Sequence, residues 1–135
     1  TNDSTFTSNV TLATIGLISP IAANQTQKVS AWIPLSVGAT GGLRCQVVVP
    51  AGGTTFLATY KLFNTVAPSL STLSQATSAA FTNALANAGT HWLEIEVTVV
   101  NGSIAGNIDI QVAQNTSDVL TLTVLSGAEM EITKL

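Results

Sequence analysis

Apolar and polar residues alternate with a period of two through most of this 135-residue chain, and this pattern limits what it can fold into. The clearest case is the run 91–100, in which Leu93 and Ile95 alternate with Glu94 and Glu96. Alternate side chains of a β-strand point to opposite faces, so one face can be buried while the other meets solvent. Runs of this kind, separated by Gly, Pro and Asn signals, predict an all-β, single-domain jelly roll or β-sandwich of about eight to nine antiparallel strands.

The alternating runs also predict where the strands lie. They cover 29–36, 43–49, 54–63, roughly 79–85, 91–100, 104–113, 119–125 and 129–135. Pro34 inside the first run favours an edge position or a bulge, because proline has no N–H for the ladder. Asn101-Gly102 predicts a hairpin between its two flanking strands, since both residue types tolerate positive φ. The Ser- and Ala-rich stretch 67–88 is interpreted as a long connection containing one strand, with a short helix as the alternative.

The two ends of the chain differ in pattern. The polar stretch 1–8 is interpreted as an N-terminal arm, and 9–135 as the β-sandwich domain. An arm of this kind can add a strand to a neighbouring protein. No apolar run is long enough for a transmembrane helix.

Charge is scarce in this chain. Charged residues make up 8% of it, against about 25% in ordinary soluble domains. The four basic residues are dispersed through the sequence as Lys28, Arg44, Lys61 and Lys134. Phosphate neutralisation requires clustered basic residues, so nucleic acid is excluded as a partner and an anionic membrane surface is disfavoured. A neutral surface is easily desolvated, which favours burial against copies of the chain or against a larger assembly.

Signals for catalysis or a cofactor are missing from the sequence. His91 is the single histidine, and no nucleophile motif accompanies it, so we interpret it as a surface or rim residue rather than a catalytic base. Cys45 is the single cysteine and is expected to be a small buried hydrophobe. We therefore predict no catalytic residue, cofactor or metal site, and no enzymatic activity.

Acidic residues follow the alternation on several predicted strands. Glu94 and Glu96, together with Asp109, point outward from the predicted hairpin, and Glu129 and Glu131 alternate on the last strand. If these strands are neighbours, the carboxylates gather into one patch. A solvated strand face explains such a pattern better than a hard-cation site, which would need a compact set of oxygen ligands.

The seven aromatic residues include two tryptophans of special interest. Trp32 and Trp92 each fall on the side of their strand opposite the aliphatic residues. Such residues anchor interfaces or stack on sugars, although capping of the sandwich core is an equal alternative. The interface candidates are Trp32, Trp92, Phe6, Glu94 and Glu96.

Three stretches resemble a family of virion surface proteins of tailed bacteriophages. The first is 22–35, with Ala22-Ala23-Asn24-Gln25-Thr26 leading to Trp32-Ile33-Pro34-Leu35, and the second is 39–52, with Ala39-Thr40-Gly41-Gly42-Leu43-Arg44. The third is 88–135, which contains Gly89-Thr90-His91-Trp92, then Gln114-Asn115-Thr116-Ser117-Asp118, and ends with Glu129-Met130-Glu131-Ile132-Thr133-Lys134-Leu135. The family includes head-decoration and fibre-tip domains with trimeric jelly rolls like that of tumour necrosis factor. The resemblance extends from about Phe6 to Leu135 and rests on turn and strand patterns.

The resemblance implies a structural role in a virion. The expected function is a capsid decoration (cementing) protein, a homotrimer on the outer head surface that contacts the major capsid protein non-covalently. The alternative is a receptor- or carbohydrate-binding fibre tip, with a host-surface glycan as ligand. Its candidate binding loops are 65–78 and 114–118, since loops at the end of a sandwich commonly carry binding residues.

Overall fold

Strands account for all the regular secondary structure that the computed structural model describes, which covers residues 3–38, 41–64, 69–75, 81–83 and 88–135. The strands are β1 (Ser4–Phe6), β2 (Ala13–Ile21), β3 (Thr26–Val37), β4 (Leu43–Val48), β5 (Thr54–Asn64), β6 (Ser69–Gln75), β7 (Phe81–Asn83), β8 (Gly89–Val100), β9 (Gly106–Ala113), β10 (Leu122–Val124) and β11 (Glu129–Lys134). The predicted all-β class is thus confirmed.

Two antiparallel sheets form the sandwich. The four-stranded sheet has the order β2-β9-β4-β7, and the seven-stranded sheet contains the order β3-β8-β5-β6. Along the chain these eight strands change sheet at every step except from β5 to β6, which is the double Greek-key arrangement of a jelly roll. The remaining strands extend the seven-stranded sheet beyond β3, where β10 and β11 both pair with β3 and β1 pairs with β10.

The core lies between the two sheets and consists of the side chains at every second position of the strands, those that face inward. Tyr60 stacks on Phe81 across the two sheets, with ring centroids 5.4 Å apart and planes 8° from parallel. Other large, fully buried side chains are Ile21, Ile33, Leu35, Leu43, Leu62, Leu93, Ile95, Ile108, Ile110 and Leu122. The period-two alternation therefore separates core from surface as expected.

The stretch 67–88 contains more regular structure than the sequence predicts. The described part contains two strands, β6 and β7, of which the sequence predicted one near 79–85. β6 pairs with β5 from Ala58↔Gln75 to Asn64↔Ser69. Its sequence, SLSTLSQ, has a spacing of large apolar residues that suits a short helix as well as a strand. Pairing with β5 decides the conformation, because a strand of this polarity is stabilised by its neighbour rather than by its own propensity.

The segment 1–8 is not a free arm over the residues that the structure describes. Ser4–Phe6 forms β1, which pairs with β10 from Ser4↔Val124 to Phe6↔Leu122. Phe6 is only 6% exposed and belongs to the core. The predicted arm boundary was therefore wrong, because burial of this phenyl ring fixes the segment to the sheet.

Pro34 lies in an interior strand, not at an edge. β8 flanks β3 on one side, while β10 and β11 flank it on the other. The Pro34 carbonyl accepts a hydrogen bond from the Leu125 N–H at 2.9 Å, so its missing N–H would also face that side. The neighbouring strand is interrupted at this level: β10 ends opposite Leu35 and β11 begins opposite Trp32. Proline therefore divides the adjacent strand into two.

The hairpin predicted at Asn101-Gly102 is also wrong. β8 and β9 belong to different sheets, so this dipeptide joins the two layers. Neither residue has positive φ, which a type I′ turn requires at both positions. Asn101 is buried instead, and its Nδ2 donates to the Ala22 carbonyl at 2.9 Å and to the Ile104 carbonyl at 2.8 Å. A side chain that bridges two backbone carbonyls fixes the corner between the sheets.

Buried Gln114 holds together the loops at the end of the sandwich opposite this corner. Its Nε2 donates to the carbonyls of Asp118 and Leu120, at 3.1 and 2.7 Å. Its Oε1 accepts from the N–H groups of Asn9 and Asp118, at 3.0 and 3.2 Å. The amide thus uses its full donor and acceptor capacity on backbone groups of two segments, one at Asn9 and one at 118–120. The candidate binding loop 114–118 is therefore a fixed element of the fold.

Replacing Gln114 with Leu keeps the side-chain volume but removes these four hydrogen bonds. We expect the free energy of unfolding to fall by about 2–4 kcal/mol, because part-buried backbone groups of two loop segments lose a hydrogen-bond partner. Urea denaturation measures the change. Ser117→Ala, an exposed change in the same loop, is the control and should shift stability by less than about 0.5 kcal/mol. Equal stability of the Gln114→Leu variant and the wild type would contradict the role assigned to this amide.

Candidate interaction surface

The outer face of the seven-stranded sheet brings together four of the five predicted interface residues. Trp32 on β3 and Trp92, Glu94 and Glu96 on β8 all point outward from this sheet. β3 and β8 pair without a break from Thr26↔Val100 to Val37↔Gly89, which fixes the positions of these side chains. Phe6, the fifth candidate, lies in the core and does not contribute to this face.

The two tryptophans form an exposed aromatic pair. Their ring centroids lie 6.2 Å apart and their planes make an angle of 69°, an edge-to-face arrangement. Trp32 is 43% exposed and Trp92 is 39% exposed. Phe63 on β5 stands directly across from Trp92 and is half-buried. The indoles therefore do not cap the core. They form an apolar strip on the surface, and such pairs contribute about 0.5–1.5 kcal/mol beyond the area they bury.

Acidic side chains flank the aromatic strip on both sides. Trp32 lies between Glu129 on β11 and Glu94 on β8, which are its cross-strand neighbours. In the next row, Ser30 lies between Glu131 and Glu96. The glutamates of β8 and β11 therefore share one face, as the sequence predicts for neighbouring strands. Asp109 does not join them, because β9 belongs to the other sheet.

The glutamates of the central strand are balanced by lysines. Lys61 Nζ is 4.0 Å from Glu94 Oε1, and Lys28 Nζ is 3.8 Å from Glu96 Oε1. Both pairs are solvated, so each contributes little to stability. Glu129 and Glu131 have no ion-pair partner within the described part of the chain. The uncompensated negative charge of this face is therefore concentrated on β11.

A shallow groove runs between β3 and β11 on this face. It has a volume of about 230 Å³ and is lined by Ser30, Trp32, Glu129, Met130 and Glu131. An indole, a hydroxyl and two carboxylates around one groove suit a ligand with an apolar surface and hydrogen-bond donors. Among the described residues, no group of three or more His, Cys, Asp or Glu side chains is placed to hold a metal ion.

The outer face of the four-stranded sheet has a different character. Its described charged groups, Arg44 and Asp109, are held by neighbours within the chain. Asp109 accepts from Thr14 Oγ1 at 2.6 Å and from Gln111 Nε2 at 3.0 Å. Arg44 donates to the Val10 carbonyl at 3.5 Å. This face therefore presents mainly amide, hydroxyl and aliphatic groups, with Ile18 48% exposed.

His91 is buried rather than at the surface, which corrects the sequence interpretation. It lies on β8 in phase with Leu93 and Ile95 and points into the sandwich, fully inaccessible to solvent. The alternation itself carried this signal, because odd-numbered residues of this strand face inward. A side chain enclosed between the sheets has no direct access to a substrate in solution.

The other sites named from the sequence fall as follows. Cys45 is buried, as predicted. Of the candidate loop 65–78, residues 65–68 and 76–78 lie outside the described residues, and 69–75 form β6. No helix within the described residues combines the length and hydropathy needed to cross a membrane.

Comparison with known proteins adds little to this picture. No protein-family model and no curated protein matches the chain. One solved structure, that of infectious bursal disease virus strain Gx, matches at 9% sequence identity with a TM-score of 0.20. The match covers 96% of this chain, which spans 35% of the length of that viral chain. A likeness this weak carries no argument about function.

The Cys45 thiol provides a test of the buried environment. Burial raises its pKa from 9.0 to about 12, so the folded protein keeps it protonated where the unfolded chain ionises. The contribution of the protonated thiol to the free energy of unfolding is complete below pH 9 and is lost as the pH rises towards 12. Between these values Cys45 should lower the free energy of unfolding by about 1.4 kcal/mol per pH unit.

Urea unfolding of the wild type and of Cys45→Ala over this pH range isolates the contribution of the thiol. We expect the variant to lack this part of the pH dependence, although its stability at neutral pH is lower because a core atom is missing. Parallel pH profiles for the two proteins would show that the thiol ionises equally well in the folded state.

Proposed function

We propose that this chain is a structural virion protein that decorates the outer surface of a capsid head. In this proposal it forms a homotrimer and cements the shell by non-covalent contacts with the major capsid protein. It performs no catalytic step and uses no cofactor. The jelly-roll topology is compatible with the proposal, since this architecture is common in capsid proteins, although a fold alone does not imply a function.

The observation that carries the proposal is the exposed Trp32–Trp92 pair. Protein interfaces are enriched in tryptophan and depleted of charge at their centre. In this chain the pair stands on a regularly paired sheet, where Glu94 on one side of Trp32 is paired with Lys61, while Glu129 on the other side has no described ion-pair partner. Burying this strip therefore removes two indoles from water, and it requires the partner to supply a positive group for Glu129.

A second surface supports the assembly part of the proposal. A trimeric decoration protein must contact both its own copies and the shell, so it needs two separate surfaces. The outer face of the four-stranded sheet has few charges, and they are bonded within the chain. Such a face loses little solvation free energy when it is covered. We assign this face to contact between copies and the aromatic face to contact with the shell.

The oligomeric state is the first quantity to measure. Light scattering coupled to size exclusion should give a mass three times the 13.8 kDa of one chain. Ile18→Lys, on the four-stranded sheet, should shift the protein towards the monomer, because a buried charge without a partner costs several kcal/mol. Val119→Lys changes the charge equally at a residue 79% exposed in a distant loop, and this control should remain trimeric. A monomeric wild type would contradict the assembly model.

Binding to the shell tests the aromatic face. Co-sedimentation with empty heads of the virus that encodes the chain should show saturable binding. Trp32→Ala and Trp92→Ala should each weaken it by at least tenfold, as expected for about 1.4 kcal/mol or more at an interface anchor. Val119→Ala removes an exposed apolar side chain elsewhere and should bind like the wild type. Unchanged binding of both tryptophan variants would remove this face from the model.

Receptor or glycan binding at a fibre tip is the second candidate function. It is favoured by the position of Trp32 beside two carboxylates, because sugars stack on indoles and donate hydroxyl hydrogen bonds to carboxylates. A glycan array distinguishes the two functions. Binding of a neutral glycan that is lost in Trp32→Ala, together with no binding to empty heads, would favour the fibre-tip role.

A further inference from the structure

The strand β11 has an open edge in the part of the chain that the structure describes. It pairs with β3 along one side, from Glu129↔Trp32 to Lys134↔Gln27, and with no described strand along the other. The preceding strand β10 also pairs with β3 on this side, and its other edge pairs with β1. Among the described residues, none therefore occupies the position beside β11 that lies in line with β1.

The backbone of β11 presents hydrogen-bonding groups at this edge. The Leu135 N–H donates to the Thr26 carbonyl at 3.0 Å, which makes this a hydrogen-bonded pair of the antiparallel ladder. Such pairs alternate along a ladder, so Glu129, Glu131 and Thr133 also bond to β3. The N–H and C=O groups of Met130 and Ile132 consequently point away from β3. They are available to a further strand.

Protection against unwanted pairing differs between the edges of the sandwich. Natural edge strands are commonly blunted by bulges, prolines or lysines. The edge strand β2 has a register shift between Thr14 and Ile18 and a proline at position 20. β11 continues in unbroken register over six residues, and its single lysine is at its end. Its outer face instead bears Glu129 and Glu131, which repel an acidic strand but attract a basic one.

We propose that the outer edge of β11 accepts an extended, basic segment of the partner protein as an added antiparallel strand, with an arginine or lysine seated between Trp32, Glu129 and Glu131. The identity of that partner as the shell protein rests on the proposed function, whereas the recognition chemistry rests on β11 itself. Strand addition of this kind obtains affinity from main-chain hydrogen bonds and specificity from alternate side chains.

The register explains why the basic side chain is selected. Because Glu129 and Glu131 bond to β3, they form the non-hydrogen-bonded pairs with an added strand, and side chains approach most closely in such pairs. A guanidinium opposite Glu131 can bind its carboxylate in bidentate fashion, and the Trp32 indole lies in the same groove for stacking. Two carboxylates with no described ion-pair partner thus acquire one.

A synthetic peptide of about eight residues that alternates valine and arginine is the probe, since this is the length of an ordinary strand. Fluorescence anisotropy of the labelled peptide should show saturable binding, and a peptide with glutamate in place of arginine should show none. N-methylation of alternate backbone amides provides the second readout. Methyl groups on the alternate amides that bond to β11 should abolish binding. Methyl groups on the amides that point away from β11 should leave it unchanged. Equal effects of both sets would overturn strand addition.

Charge variants separate local recognition from long-range attraction. Glu129→Gln/Glu131→Gln should weaken binding of the arginine peptide at least tenfold. Thr82→Lys/Ser103→Lys changes the net charge by the same amount at two exposed positions outside the groove, and it should bind within about twofold of the wild type. If both double variants weaken binding equally, attraction is non-specific and the proposal is overturned.

The same variants distinguish failure of this inference from failure of the decoration role. Peptide binding with no attachment to empty heads would support the open edge and contradict the decoration role. Attachment to heads that is unchanged in Glu129→Gln/Glu131→Gln would support decoration and overturn the recognition described here.

Discussion

The uninterrupted pairing of β3 with β8 positions both the core and the candidate interaction surface. Twelve consecutive residue pairs, from Thr26↔Val100 to Val37↔Gly89, join the two strands without a bulge. One face of this ribbon supplies Ile33, Leu93 and Ile95 to the core, and the other carries both tryptophans. A shift of one residue in either strand would exchange its two faces, so the core and the candidate surface are fixed by the same register.

Scarce charge is distributed unevenly over the two sheets. The outer face of the seven-stranded sheet carries two of the four basic residues and four of the seven acidic ones, namely Lys28, Lys61, Glu94, Glu96, Glu129 and Glu131. The four-stranded sheet presents mainly neutral polar groups. Covering the neutral face requires little desolvation, whereas the acidic and aromatic face selects what covers it. The two faces thus suit different partners.

A single proline links the fold to the open strand edge. Pro34 cannot donate to the strand beside it, and that strand is interrupted between β10 and β11. β1 covers β10, where Phe6 enters the core, but does not extend along β11. The groove between β3 and β11 therefore lies beside an edge with which no described strand pairs, because the chain interrupts its own strand at this point. The corners of the sandwich are held differently, by the buried amides of Asn101 and Gln114.

The β-class, most strand positions and the outward placement of Trp32, Trp92, Glu94 and Glu96 could be predicted from the sequence, because period-two alternation records which face of a strand is buried. The sequence also contained the inward phase of His91, although the residue type suggested a surface position. The pairing of the strands could not be predicted in this way. Asn101-Gly102 has local hairpin chemistry, yet β8 is paired on both sides by β3 and β5, so the chain must cross to the other sheet. Strand partners are chosen by contacts between residues far apart in sequence, and local pattern carries no record of them.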